Sequence, residues 1–309
     1  MALLSDVKSP VALVTGARGF TGVHFCNALR AKGYEVHGLG RDEVVSGFSH
    51  PVDLADCNNL TAILEKIRPD YIIHLAAISF VAHGCANDFY QTNLFGTLNL
   101  LDAVQQAGLS PRKILIASSA NVYGNPTQEI IHEDIPPLPI SHYANSKLAM
   151  ENMVRLWFDR LPIVITRPFN YTGPGQTENF LVPKIIAHFR DKKKVIKLGN
   201  IDVIRDISDV GMIVDCYTRL LESPVSADIF NICSGQGYSL SAILEQVQDL
   251  AGYQIEVEVD PALVRANEIK KLIGSNQKFR EKVGEITVLP LSETLKSMYS
   301  MAVPASLLS

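Results

Sequence analysis

At 309 residues, 47% hydrophobic and 19% charged, the chain has apolar material for one large domain or two intimate ones. A formal net charge of −4 excludes a generally basic surface for nucleic acid or anionic membranes, so an anionic ligand must meet locally placed cations. No window approaches the eighteen or so apolar residues of a membrane span, and Met1–Pro10 lacks the apolar run of a signal peptide, so the chain is expected to stay where it is made.

From Val11 onward, short apolar runs alternate with helical patterns, the signature of βαβ units and a parallel sheet. Val11 to Thr15 reads as the first strand, Phe20 to Lys32 as a helix stopped by Gly33, and Tyr34 to Leu39 as the second strand. A third strand is expected around His50 to Val52, a helix over Asp56 to Ile67 and a fourth strand over Asp70 to Ala76. A long helix over Asn87 to Ala107 closes at Gly108, before a strand at Lys113 to Ala117. A second long helix, Ser141 to Leu161, precedes a strand at Ile163 to Arg167. The sum is an α/β, Rossmann-type, doubly wound sheet. After Arg167 the alternation becomes irregular, with helices expected at Leu181 to Arg190, Val210 to Glu222 and Leu240 to Ala251 and a strand at Ile229 to Cys233. Residues 1–167 are therefore read as the dinucleotide-binding domain. Residues 168–309 are read mainly as a smaller ligand-binding lobe, with segments returning to the first domain.

The run Thr15-Gly16-Ala17-Arg18-Gly19-Phe20-Thr21-Gly22 follows the first strand and opens the first helix. In that place Gly16 permits a tight turn, Gly19 lets backbone approach a pyrophosphate and Gly22 lets the helix pack on the sheet, while the helix N-terminus turns N–H groups toward phosphate. Arg18 and Phe20 flank the same turn. A basic residue after the second strand suits a ribose 2′-phosphate and an acidic one a 2′-hydroxyl. Here Gly40 is followed by Arg41, so Arg18 and Arg41 favour NADP(H). Asp42 or Glu43 would take the NAD(H) role if the strand ran longer.

Tyr143-Ala144-Asn145-Ser146-Lys147 puts a phenol and an ammonium on one helix face. Moving a phenol from its ordinary pKa to neutrality takes about 4 kcal/mol at ~1.36 kcal/mol per unit. An adjacent ammonium supplies much of that, which makes Tyr143 an acid in one direction and a base in the other. A hydroxyl should meet the carbonyl oxygen as charge grows there. Ser118 and Ser119 end the fifth strand.

Glycines spaced GxxGxxG, together with Tyr143 and Lys147, resemble the extended short-chain dehydrogenase/reductase family over nearly the whole chain. The resemblance implies Ser119, in Ser119-Ala120-Asn121-Val122-Tyr123-Gly124, as the third catalytic member, with Ser118 a structural neighbour. It also implies cofactor contacts at Asp53, Leu54, Leu75, Ala76, Ala77 and Asn93, the last positioning a water near Lys147. A homodimer through the two long helices is a further expectation.

Arg167-Pro168-Phe169-Asn170-Tyr171-Thr172-Gly173-Pro174-Gly175-Gln176 resembles reductases of GDP-linked 4-keto-6-deoxy-hexoses, which form GDP-rhamnose. Later matches include Val203-Ile204-Arg205-Asp206 and Asn231-Ile232-Cys233-Ser234-Gly235. The resemblance implies a nucleotide-sugar substrate with Arg205 and Arg265 on its diphosphate, Asn170 and Asn179 adding neutral hydrogen bonds, and Ser79 and Phe80 lining the sugar pocket. Lys192 to Lys194 read as a solvated helix end. A 4,6-dehydratase needs extra acid and base groups, commonly carboxylates directly after the catalytic hydroxyl. Ala120 and Asn121 supply none, which leaves reduction, or C4 epimerisation through a transient ketone, ahead of dehydration. A non-catalytic dinucleotide sensor is the alternative of another class. The five cysteines are odd in number and scattered, with no CxxC and no histidine cluster, so the expectation is a reducing cytoplasm and no metal.

Overall fold

The computed structural model describes residues 9–40, 48–79, 85–264 and 268–301. The chain divides into two compact units. The first holds residues 1–118, 141–166 and 217–229, and the second holds 119–140, 167–216 and 230–309.

In chain order the first elements are β1 (Val11–Thr15), α1 (Phe20–Ala31), β2 (Glu35–Gly40), β3 (Ser49–Pro51), α2 (Cys57–Ile67) and β4 (Tyr71–His74). Then comes one helical run in three parts: α3 (Ala86–Phe89), a π-helical stretch Tyr90–Phe95 and α4 (Gly96–Gln106). β5 (Lys113–Ala117), a 3₁₀ turn Ala120–Tyr123, α5 (His142–Val154) and β6 (Ile163–Pro168) follow. The remaining elements are β7 (Asn170–Thr172), α6 (Leu181–Arg190), β8 (Val195–Leu198), β9 (Ile204–Asp209), α7 (Val210–Glu222) and β10 (Asp228–Ile232). The last are β11 (Gly237–Ser239), α8 (Leu240–Ala251), β12 (Glu256–Val259), β13 (Lys271–Leu272), α9 (Gln277–Lys282) and α10 (Leu291–Ser300).

The main sheet runs β3-β2-β1-β4-β5-β6-β10, with β1 paired in parallel to both β2 and β4. The strand order reverses beside β1, which opens the crevice where doubly wound sheets take their ligands. Every residue of β1 and of β6 is buried, as expected of strands covered on both faces. Leu13, Ile72, Ile114, Ile163 and Ile165 pack with Leu60, Leu64, Leu100, Val104, Met150 and Val154 from the helices. Arg167 and Pro168 of β6, Val210 to Cys216 of α7 and Phe230 to Ile232 of β10 belong to the second unit.

In the second unit β9 pairs antiparallel to β11 and parallel to β13 and β7, and β12 pairs with β8. Val182, Ile185 and Phe189 of α6, Ile243 and Val247 of α8 and Leu295 of α10 form its core with Ile196 and Leu198.

Two expected helices are revised. The run expected over Asn87 to Ala107 is interrupted by π-helical geometry at Tyr90–Phe95, a local widening that no apolar period signals. The helix expected to reach Leu161 ends at Val154 and tightens to a 3₁₀ turn at Arg155–Trp157. Pro162 disfavours helical backbone at Leu161, so the chain stops winding before β6.

Candidate active site

The glycine turn is built for backbone approach. Gly16 has φ +68°, its N–H donates to the Leu39 carbonyl at 3.1 Å, and the Gly19 N–H donates to the Gly16 carbonyl at 2.9 Å. A Cβ on Gly16 would lie 2.8 Å from the Ala76 nitrogen, and one on Gly22 would lie 2.1 Å from the Gly16 oxygen. No side chain caps α1 at Gly19, so its positive end is offered to an anion. These close approaches fit a dinucleotide pyrophosphate. Arg18 is exposed at the tip of the turn and Phe20 is half-buried; Arg41 lies outside the described residues.

Asp53 is exposed, with its carboxylate accepting from the Ala55 N–H at 2.9 Å. Half-buried Leu54 accepts the Asn99 amide on its carbonyl at 2.8 Å. Beyond β4, Leu75, Ala76 and Ala77 are half-buried and are held by a chain of hydrogen bonds. The Ala76 N–H donates to Thr15 Oγ1 at 3.1 Å, which stands 2.7 Å from His74 Nδ1. His74 Nε2 stands 2.9 Å from Thr97 Oγ1, which donates to the Asn93 carbonyl at 2.7 Å. Because Thr97 spends its proton on that carbonyl, it must accept from Nε2–H, leaving Nδ1 to accept from Thr15. Complete burial, then the Lys147 charge, depress the His74 pKa to about 3, so the ring is neutral. Asn93 is fully buried. Its oxygen accepts from the Ile78 N–H at 2.9 Å, and its amide donates to the Ile78 carbonyl at 3.2 Å and to Ser146 Oγ at 3.0 Å. Both amide hydrogens thus serve protein groups, clamping the segment after β4 to α5.

The Ser141 hydroxyl caps α5 by accepting from the Ala144 N–H at 3.2 Å. Tyr143 is buried, its ring centroid 6.0 Å from that of Phe89. One turn on, buried Lys147 donates from Nζ to the Ala117 carbonyl at 2.7 Å. Burial lowers the Lys147 pKa to about 8 and the Glu151 carboxylate opposes the fall, so the side chain is mostly an ammonium at neutral pH. Ser118 donates to Glu151 Oε1 at 2.5 Å. Neither sequence spacing nor the family resemblance singled out Glu151, although it follows Lys147 by the same four residues that separate Lys147 from Tyr143. Ser119 belongs to the second unit and caps the 3₁₀ turn, its Oγ accepting from the Asn121 N–H at 3.2 Å.

Also in the second unit, Asn170 and Asn179 are exposed. Arg205 pairs with Glu268 at 2.6 Å and donates to the Ile204 carbonyl at 3.0 Å, so its guanidinium already has an anionic partner. Beside it, the buried Asp206 carboxylate accepts from the Ser234 hydroxyl at 2.7 Å and the Gly235 N–H at 2.9 Å. Arg167 is buried, its guanidinium 4.8 Å from the Tyr123 ring centroid and donating to the Tyr123 hydroxyl at 2.9 Å. Lys192, Lys193 and Lys194 are exposed. Ser79 is exposed; Phe80 and Arg265 lie outside the described residues. Among the described residues no cluster could hold a metal ion, no disulfide forms, and no helix is long and apolar enough to cross a membrane.

A glycine turn at the switch point of a doubly wound sheet, with a buried Tyr–Lys pair one turn apart on a later helix, is the pattern of the extended short-chain dehydrogenase/reductase class. The sequence profile of the family described as GDP-mannose 4,6 dehydratase matches residues 13–298. GDP-6-deoxy-D-talose 4-dehydrogenase from Aggregatibacter actinomycetemcomitans is 35% identical over 88% of this chain and 90% of its own. GDP-6-deoxy-D-mannose reductase from Pseudomonas aeruginosa is 31% identical over 93% of this chain and 95% of its own. The structure of RMD from Pseudomonas aeruginosa complexed with NADPH superposes with a TM-score of 0.84 at 31% identity, covering 94% of this chain and 98% of that one. The chain belongs to the GDP-mannose 4,6-dehydratase family within the NAD(P)-dependent epimerase/dehydratase branch of the extended short-chain dehydrogenases/reductases. It is a nucleotide-sugar-modifying enzyme of that family.

Proposed function

We propose that the chain is an NADP(H)-dependent reductase of a nucleotide-linked 4-keto-6-deoxy-hexose, converting GDP-4-keto-6-deoxy-mannose to GDP-rhamnose. The observation that carries this reading is the buried Lys147 ammonium one helical turn from Tyr143, on a sheet whose glycine turn fits a pyrophosphate. Gly16, Arg18, Gly19, Phe20 and Gly22 would hold the dinucleotide with Asp53, Leu54, Leu75, Ala76 and Ala77, and Arg18 with Arg41 would favour a 2′-phosphate. Bound there, the reduced nicotinamide supplies hydride. Tyr143 gives its phenolic proton to the C4 oxygen, Lys147 stabilises the phenolate left behind, and the Ser119 hydroxyl donates to the same oxygen as charge builds on it. Ala120 is buried and apolar, and neither it nor Asn121 can take a C5 proton, which disfavours dehydration.

Mannose and talose differ from each other only in configuration at C4, so the 35% identical talose dehydrogenase supports a second reading, reduction of the same ketone from the opposite face. The test mixes purified protein with GDP-4-keto-6-deoxy-mannose and either NADPH or NADH. Loss of nicotinamide absorbance equal to the alcohol formed supports a reductase, and NMR couplings at C4 separate rhamnose from 6-deoxytalose. Inversion without reductant consumption rejects it for an epimerase, and tight dinucleotide binding with no turnover of any nucleotide sugar revives the sensor. We place the enzyme in the cytoplasm, where its five cysteines would remain thiols. Exposed Phe95, Met153 and Leu156, on or beside the two long helical runs, fit a homodimer that burying those runs would form.

A further inference from the structure

Tyr143, Lys147 and Glu151 stand four residues apart on α5, all three buried, with Glu151 at 0% exposure. A carboxylate so placed stays ionised only if nearby groups offset its lost hydration. Two consecutive residues at the end of β5 meet this row. The Ala117 carbonyl accepts from Lys147 Nζ at 2.7 Å, and the Ser118 hydroxyl donates to Glu151 Oε1 at 2.5 Å, the length of a charge-assisted bond. One strand end therefore holds the Lys147 and Glu151 side chains, one helical turn apart on one face of α5.

We propose that Glu151 is a positioning residue for the reaction: its carboxylate, fixed by Ser118, keeps Lys147 an ammonium so that Lys147 can stabilise the Tyr143 phenolate. This rests on the Tyr143–Lys147 chemistry proposed above. Among the described residues, the groups that β4 and the π-helical stretch bring carry no compensating charge, and α3, also packed on α5, carries Asp88. His74, at the end of β4, is neutral with both ring nitrogens engaged. From the π-helical stretch packed on α5, Asn93 bonds Ser146, and Tyr90 lies 3.2 Å from His142 Nδ1. Burial drives Lys147 toward neutrality and Glu151 is what opposes it.

The test is Glu151→Gln, which keeps an acceptor for Ser118 and removes only the charge. With ¹³C-labelled lysine, the Cε signal of Lys147, assigned by its loss in Lys147→Arg, is followed against pH in wild type and variant. The expected result is a Lys147 titration displaced downward by about one to three units. The alkaline limb of kcat/KM for NADPH-dependent reduction should move to lower pH by a similar amount, while Glu151→Asp stays near wild type. An unmoved Lys147 titration in folded Glu151→Gln overturns the proposal. If that variant does not fold, Ser118→Ala takes its place, with a smaller shift in the same direction expected and no shift overturning it. Full activity of Tyr143→Phe would instead overturn the underlying chemistry, so the two failures are distinguishable.

Discussion

Gly22→Ala tests whether the glycine turn owes its function to backbone proximity. The new Cβ would sit 2.1 Å from the Gly16 oxygen and 2.8 Å from both the Ala17 carbonyl carbon and Cα, below the 3.0 Å that real Cβ atoms essentially never breach. All three obstacles are backbone, so α1 must retreat from the turn by about an ångström, a displacement typical of overpacking that costs ~1–3 kcal/mol. Against this, alanine is favoured over glycine inside a helix by about 1 kcal/mol. Net stability therefore changes little or falls modestly, whereas ligand affinity has no such offset. The Gly19 N–H is tied to the Gly16 carbonyl at 2.9 Å, so moving the helix misaims its N-terminal amides. Losing one hydrogen bond to a charged phosphate costs about 1.5–3 kcal/mol, or roughly 10- to 100-fold in Kd. The assay is NADPH titration by fluorescence, with thermal unfolding alongside. Asn27→Ala, exposed on the same helix, controls for propensity and should bind as wild type does. A Gly22→Ala protein that binds NADPH with wild-type affinity would refute the reasoning.

Tyr143→Phe should lower kcat by about 10²- to 10⁴-fold while leaving the NADPH Kd unchanged, as read by stopped-flow reduction and by titration. His74 is held neutral with a pKa near 3 against an ordinary 6.5, so the unfolded chain takes up a proton below pH 6.5 that the folded one refuses. Its contribution is complete above that pH and declines by ~1.4 kcal/mol per pH unit as the solution is acidified toward pH 3. Urea unfolding of wild type and His74→Gln between neutral and mildly acidic pH should differ in slope by that one proton. Glu268→Gln should remove the anion paired with the Arg205 guanidinium and tighten GDP binding by roughly fivefold, measured calorimetrically; weaker binding would show that Glu268 orients Arg205 instead.

What the sequence disclosed of the fold tracks where periodicity is strong. β1, β5, α6, α7 and α8 have the bounds read from apolar runs, caps and glycine stops. α1 closes as Gly33 anticipates, with φ +85° and its N–H donating to the Arg30 carbonyl at 2.9 Å. The strands that escaped notice, β7, β8, β9, β11, β12 and β13, are two to six residues long. Runs of two to four residues are too brief for a period of two to stand out, and β9 is defined by its pairing, Ile204 and Arg205 with both β11 and β13 and Ile207 to Asp209 with β7. The π-helical stretch is invisible for another reason: it changes which carbonyl each N–H reaches without changing which side chains are apolar.

The site was legible where chemistry follows local spacing, and hidden where it depends on a distant partner. Tyr143 and Lys147 announce themselves by a four-residue interval, and the same rule extended once more reaches Glu151, whose importance appears only when Ser118, 33 residues earlier, is seen to hold it. Arg205 shows the converse. Its charge and its motif mark it for an anionic ligand, yet Glu268, 63 residues later, already occupies the guanidinium at 2.6 Å. A diphosphate bound at Arg205 must therefore displace a carboxylate or share the fork with it, and it brings more negative charge and more acceptor oxygens to the exchange than Glu268 can. The affinity of that position is thus a difference between two anions competing for one cation, a quantity no inventory of basic residues contains.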